Sequence, residues 1–287
     1  MDKEWGLSAA VRVNASNGVE ERLEHISTPR GLLYAWIALP PQSSSCVLIC
    51  SSVLGDFVAN YHRERTLGRV LAAKGLGVIR FHYTGEGNSQ GERSDMTFST
   101  LCADAQAIAD HARGIGFTQF GALGTRLGSL VAAATVASMP SAPIAFWEPV
   151  TDPLRFVGEA QRAKRISQVA QESGGNQGDW RQELQRNGVL DLMGYDVYPP
   201  LIASLADVDP LTILGSELRR VFIGRFREKG EGKDPLLDSL TQLGFPVEAA
   251  YFPLSESWWF HDEFASESGD LISATSDWLV AALSEDA

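Results

Sequence analysis

The chain has 287 residues, is 44% hydrophobic and 21% charged, and carries a formal net charge of −12. That apolar fraction supplies a sizeable core, and the length suits one sheet protein with helices on both faces and an insertion. The negative charge repels phosphate backbones and anionic lipid faces, so neither nucleic acid nor a membrane is expected as a partner. Cys46, Cys50 and Cys102 have neither metal-ligand spacing nor an even count. They read as reduced core thiols of a reducing compartment, with no metal and no cofactor. The opening MDKEWGLSAA lacks an apolar stretch, and no run of about 18 apolar residues occurs, so the cytoplasm is the expected location.

Taken in chain order, strand-length apolar runs alternate with helical patterns. Glu21 to Ser27 and Gly31 to Leu39 read as paired early strands, and Ser45 to Ser51 (SCVLICS) as a buried one. Tyr61 to Lys74 has helical spacing and stops at Gly75. Leu76 to Tyr83 is the next strand, ended by the Gly-rich turn TGEGNSQG. Phe98 to Arg113 reads as an amphipathic helix, Thr118 to Leu123 as a short strand and Leu127 to Ser138 as an alanine-rich helix. Pro143 to Trp147 is another strand. Pro153 to about Leu214 is then polar and largely helical, with a linker at Gln171 to Asp179. Strands resume at Arg220 to Phe226 and Val247 to Phe252 around a helix at Leu236 to Leu243. A helix at Asp270 to Leu283 follows.

This alternation predicts a mostly parallel sheet covered on both faces, with ligand-binding loops at the carboxyl ends of its strands. One structural domain is expected: residues 1–150 form the first part of the core, 151–216 a helical cap, and 217–287 the rest of the core.

The segment GALGTRLGSLVAAA carries the most information. It runs from strand through Gly124-Thr125-Arg126-Leu127-Gly128 into a helix, which is the frame of the G-x-S-x-G nucleophile elbow. The fold class expected is therefore the α/β-hydrolase fold with a helical cap insertion. Arg126 stands where a serine hydrolase carries its serine. A guanidinium stays protonated and offers no lone pair, so it cannot attack an acyl carbon. At a helix N-terminus it can hold a carboxylate, phosphate or sulfate. It can equally form an internal ion pair, and Glu148, after the next strand, is the partner within reach.

The remaining positions of a hydrolase site are altered as well. His261, in SESWWFHDEF, lies between the last strand and the last helix, where this fold carries its histidine. No acid follows RVFIGRF except Glu228, so Glu148 or Asp152 is the candidate acid. The turn after SCVLICS reads Ser51-Ser52-Val53-Leu54-Gly55. Its backbone N–H groups, with that of Leu127, can form an oxyanion donor pair. Cys50 and Ser52 are conceivable replacement nucleophiles, although Cys50 reads more simply as core. Trp258 and Trp259 sit beside His261 and can line a pocket.

These residues carry a resemblance. RFHYTGEGNSQGERSDMTFSTLCADAQAIADHA resembles the strand, Gly-rich turn and helix of α/β-hydrolases, often D-x-x-G-x-G-x-S-x-G. Gly85, Gly87, Ser89 and Gly91 match, and His82 replaces the usual aspartate. Within that superfamily the chain resembles the exosortase A system-associated hydrolase 2 type, over most of residues 30–285. The shared features are the GTRLG elbow, the stretch with Trp147, Pro149 and Val150, and the segment Leu192 to Asp209. That resemblance implies the fold, and a setting in exopolysaccharide or secondary-metabolite pathways.

Two functions are therefore expected. One is an enzyme without an elbow serine that acts on a small acyl or carboxylate-bearing molecule. In it Arg126 is the anion anchor, His261 the acid–base group and Glu148 the acid, with Ser51, Ser52, Leu127 and Trp259 at the substrate. Hydrolase, acyltransferase, lyase and cyclase chemistry are all within its reach. The other is an inactive relative that binds or scaffolds in such a pathway. The partner expected is a small anionic molecule, and a dimer is allowed.

Overall fold

The computed structural model describes residues 10–13, 16–170, 179–215, 217–230, 232–252 and 268–284. In chain order the strands are β1 (Ala10–Val13), β2 (Glu20–Thr28), β3 (Gly31–Leu39), β4 (Ser45–Cys50), β5 (Gly77–Phe81), β6 (Gln119–Thr125), β7 (Ile144–Trp147), β8 (Leu190–Leu192), β9 (Tyr195–Val197), β10 (Val221–Arg225) and β11 (Val247–Tyr251). Nine of them form one sheet, ordered β1-β2-β3-β5-β4-β6-β7-β10-β11, and β8 pairs with β9 apart from it. β1 to β3 are antiparallel, β3 meets β5 antiparallel, and every pair from β5 onward is parallel.

The central strands are buried along their whole length, as SCVLIC in β4 shows, because helices cover both faces. The core helices are α1 (Gly55–Ala73), α2 (Phe98–Gly114), α3 (Gly128–Val136), α8 (Pro235–Gln242) and α9 (Gly269–Ser284). Leu67 and Leu71 of α1 pack with Leu271 and Leu279 of α9 on one face. Leu101 of α2, Leu130 of α3 and Leu240 of α8 belong to the core of the other. Thr97 caps α2 with a capping box, its hydroxyl accepting from Thr100 N. β5 and β6 flank β4 on opposite sides, so the chain leaves β4 in one direction and later returns in the other. That reversal opens a crevice at the carboxyl ends of β4 and β6, where open α/β sheets bind their ligands.

Between β7 and β10 the chain inserts α4 (Pro153–Ala170), α5 (Trp180–Asn187), the β8–β9 hairpin, α6 (Pro199–Leu205) and α7 (Pro210–Leu214). This insertion occupies the segment expected as a cap and is largely helical, and what the sequence pattern does not show is the short hairpin. Its strands have three residues each, too short for an alternating pattern to show. Met193 (φ 58°) and Gly194 (φ 88°) make its two-residue loop, in which both positions need positive φ. Helix α1 also begins at Gly55, six residues before its expected start. Residues 171–178 of the expected linker, and His261, Trp258 and Trp259, lie outside the described residues. Among the described residues no helix is long and apolar enough to cross a membrane. None of their His, Cys, Asp and Glu side chains form a metal-binding group of three or more.

Candidate active site

The turn from β6 to α3 is tight. A Cβ on Gly124 would lie 2.5 Å from Ser129 Cα, and one on Gly128 would lie 2.1 Å from the carbonyl oxygen of Cys50. Both positions therefore require glycine for space. Arg126 between them has φ 50°, and its N–H donates to Trp147 O at 2.9 Å. Leu54, just before α1, has φ 62°, and Glu148, just after β7, has φ 44°. Among the described residues six non-glycine residues have positive φ, and four of them, Leu54, Arg126, Glu148 and Met193, line one cavity. Such conformations cost roughly 1–3 kcal/mol each and gather where function needs them.

That cavity measures about 630 Å³ and is lined by the strand-end turns, the start of α1, α4 and the β8–β9 hairpin. Arg126, Asp56 and Glu148 line it beside the carboxyl ends of the strands, its deep end by position in the fold. Buried Val53, Leu54, Phe156 and Leu192 give it an apolar wall. Exposed Val58, Met193 and Arg162 form its rim. The size is that of a site for a drug-sized molecule.

Arg126 does not pair with Glu148. Its Nε donates to Asp56 Oδ2 at 3.1 Å and its Nη2 to Glu159 Oε2 at 2.9 Å, and its guanidinium lies 5.5 Å from the Phe156 ring centre. Glu159, on α4, also accepts from Arg155 Nε at 3.1 Å. Arg126 thus ties α1 of the core to α4 of the insertion. Burial opposes its charge, but Asp56 and Glu159 more than offset this and hold its pKa above the ordinary value. Burial raises the Asp56 pKa above the usual carboxylate range, with Arg126 opposing. Glu148 instead accepts from Phe226 N at 2.6 Å and from Arg225 Nη1 at 3.4 Å. Neither Asp56 nor Glu159 stood out in the sequence. Asp56 follows the altered oxyanion turn directly, which was the one available signal.

The structure brings Arg126 and Glu148 to the cavity but not the serines of the 51–55 turn. Ser51 is buried and its hydroxyl donates to Glu64 Oε2 at 2.6 Å, while Ser52 and Leu127 are buried behind the lining. The turn reaches the cavity through Val53, Leu54, Gly55 and Asp56. Cys50 is fully buried, and desolvation raises its thiol pKa far above the ordinary value, so no thiolate is available there. Asp152 accepts from Arg155 N at 2.9 Å at the start of α4, and Glu228 is exposed. His82, at the position of the usual aspartate, is buried. Desolvation and neighbouring Arg80 push its pKa down to about 3, so it stays neutral and accepts from Asn88 N at 3.0 Å.

The end of β10 carries a second charged cluster. Arg225 donates through Nε and Nη2 to the two carboxylate oxygens of Asp234, each at 2.6 Å. Burial pushes the Asp234 pKa up, but Arg225 overrides it and holds the pKa below the ordinary value. A carboxylate depressed in this way stabilises the fold above its unfolded pKa of about 4, and loses that contribution as pH falls through the native value. Asp234→Asn is therefore expected to be less stable than the parent at pH 7, with the gap narrowing steadily below pH ~4. Urea unfolding across that range measures it. A gap that is constant with pH would exclude Asp234 as the source.

No protein-family model matches the chain, and no curated protein matches it. Solved structures do match its fold. Est1E from Butyrivibrio proteoclasticus, solved with ferulic acid bound, superposes with a TM-score of 0.63 over 91% of this chain and 99% of its own, at 14% identity. A hypothetical protein from Pseudomonas aeruginosa gives 0.59 over 97% and 98%, also at 14%. A lidless α/β serine hydrolase from Xanthomonas campestris gives 0.51 over 90% and 95%, at 18%. The chain has the α/β-hydrolase fold.

Proposed function

We propose that this protein is an α/β-hydrolase-fold enzyme acting, without an elbow serine, on a small acyl or carboxylate-bearing molecule beneath the cap. One observation carries the reading. Three strained turns following adjacent strands, and a fourth in the insertion, converge on one cavity. Strain of that kind is held where chemistry or recognition needs it. In this mechanism Arg126 presents its remaining nitrogen, Nη1, to an oxygen of the bound molecule. Glu148 braces the turn through Phe226 N and Arg225 and serves as the acid. His261, from the sequence before α9, exchanges protons with the reacting group, and Trp259, two positions earlier in the sequence, is assigned to the substrate. Backbone N–H groups of the 51–55 turn where it reaches the cavity, from Val53 to Gly55, supply oxyanion donors. The resemblance of the GTRLG elbow supports a biosynthetic setting.

A binding-only role is the second reading. It is favoured by the two carboxylates on Arg126 and by a lining without serine, cysteine, threonine or lysine among the described residues.

A fluorophosphonate probe is expected to leave the protein unlabelled, and stoichiometric labelling of one serine would refute the non-serine mechanism. Against a panel of acyl esters and thioesters, His261→Ala is expected to lower turnover by roughly 100-fold or more, the usual worth of acid–base catalysis. Unchanged turnover removes His261 from the mechanism. Ligand binding without any turnover leaves the binding-only role.

A further inference from the structure

We infer that the anionic end of the bound molecule is held at the mouth of the cavity by Arg162, so that the ligand is an amphipathic anion with its apolar body inward. The inference rests on the cavity reading above and moves the anion anchor away from Arg126.

Two cations line the cavity, Arg126 and Arg162. Arg126 already holds Asp56 and Glu159, and a third carboxylate, Glu148, lines the same deep end. A further anion there would compete with Asp56 and Glu159 for one guanidinium and meet Glu148 as a third carboxylate of the lining, which disfavours it. An uncharged acyl oxygen on Nη1 meets no such repulsion. Arg162 is different. It is exposed at the rim and has no carboxylate partner among the described residues. The other cations of α4 are engaged: Arg155 on Glu159, Lys164 on Asp191, and Arg165 in contacts of its own.

The surrounding charges leave Arg162 as the cation to meet an anion. Lys164 answers Asp191 and Glu183, and Arg155 answers Glu159, so those pairs are locally neutral. On a chain of net charge −12, an unpaired guanidinium in the exposed part of a cavity lining is where an anion is drawn. The other exposed residues of the lining are apolar, Val58 at 49% and Met193 at 43%, and its buried Val53, Leu54, Phe156 and Leu192 are apolar too. A carboxylate on Arg162 with a hydrocarbon or aryl body passing Val58 and Met193 satisfies both chemistries.

The test compares decanoate with 1-decanol, titrated calorimetrically into the full chain at low salt. The parent is expected to prefer decanoate by about three- to fivefold, the worth of an exposed charge pair. In 0.5 M salt that preference is expected to shrink. Arg162→Gln is expected to abolish the preference while leaving 1-decanol binding unchanged. Arg181→Gln, an exposed cation on α5 away from the lining, is expected to behave as the parent. A preference that survives in Arg162→Gln, or is absent from the parent, overturns the inference. If Arg126→Gln abolishes it instead, the anchor lies at the deep end. If neither molecule binds, or Ala160→Trp in the cavity wall leaves binding intact, the cavity reading itself fails and takes the inference with it.

Discussion

Gly128→Ala is expected to destabilise the protein by about 3 kcal/mol or more, the upper range for overpacking a rigid site. The added carbon would sit 2.1 Å from the Cys50 carbonyl oxygen and 2.4 Å from that of Ser51. Both are backbone atoms at the end of a fully buried central strand, so no side chain can rotate aside. Either α3 retreats from the sheet or β4 distorts, and both loosen the layer that holds Arg126. Gly55→Ala is the matching control. Its Cβ meets nothing within 4 Å, and the position begins a helix, where alanine is favoured over glycine. Urea unfolding of the two variants should separate them clearly. Equal stabilities would mean that the elbow is not under the steric control described above.

The second large effect is expected at Glu64. This carboxylate is fully buried and accepts from Arg80 Nε at 2.8 Å and from Ser51 Oγ at 2.6 Å. Arg80 is itself 2% exposed, with its guanidinium 4.1 Å from the Tyr61 ring centre. Glu64→Ala strands that cation in the interior and is expected to cost about 3–5 kcal/mol. The pair as a whole need not stabilise the fold. Replacing both partners with apolar residues of similar volume, as in Glu64→Leu with Arg80→Met, is expected to recover most of the loss. A double variant no better than Glu64→Ala would show that the pair, rather than the orphaned charge, matters. Guanidinium unfolding with a double-mutant cycle measures this directly.

Much of the architecture was legible before any coordinates. Apolar runs such as SCVLICS and PIAFW are long enough, and bounded sharply enough, to declare buried parallel strands. The glycines at 124 and 128 announced a turn that only a strand-to-helix elbow requires. The misses have local causes. The β8–β9 strands are too short to establish a period, and α1 starts at Gly55 with no side-chain cap to mark it. The site was less legible, because its pairing is decided by tertiary geometry. Asp56 and Glu159 stand 70 and 33 positions from Arg126, and nothing local in either segment names its partner. Glu148 was the nearer guess by topology, yet Arg225 and the Phe226 N–H claim it. Ser51 shows the same limit: its place in the turn suggested a ligand contact, and burial against Glu64 gave its hydroxyl another use.

The grip of Asp56 and Glu159 on Arg126 also sets an order on how this sequence can change. The backbone at position 126 keeps the left-handed turn of an elbow, so a serine would fit it without rearrangement. The side chains around it would not accept the swap. Losing the guanidinium leaves Asp56 without its counter-charge beside Glu159, which keeps only Arg155. A lineage exchanging serine and arginine at this turn passes most easily through prior loss of Asp56 or Glu159. Substitutions at these three positions are therefore physically coupled, and the effect of each depends on what stands at the other two.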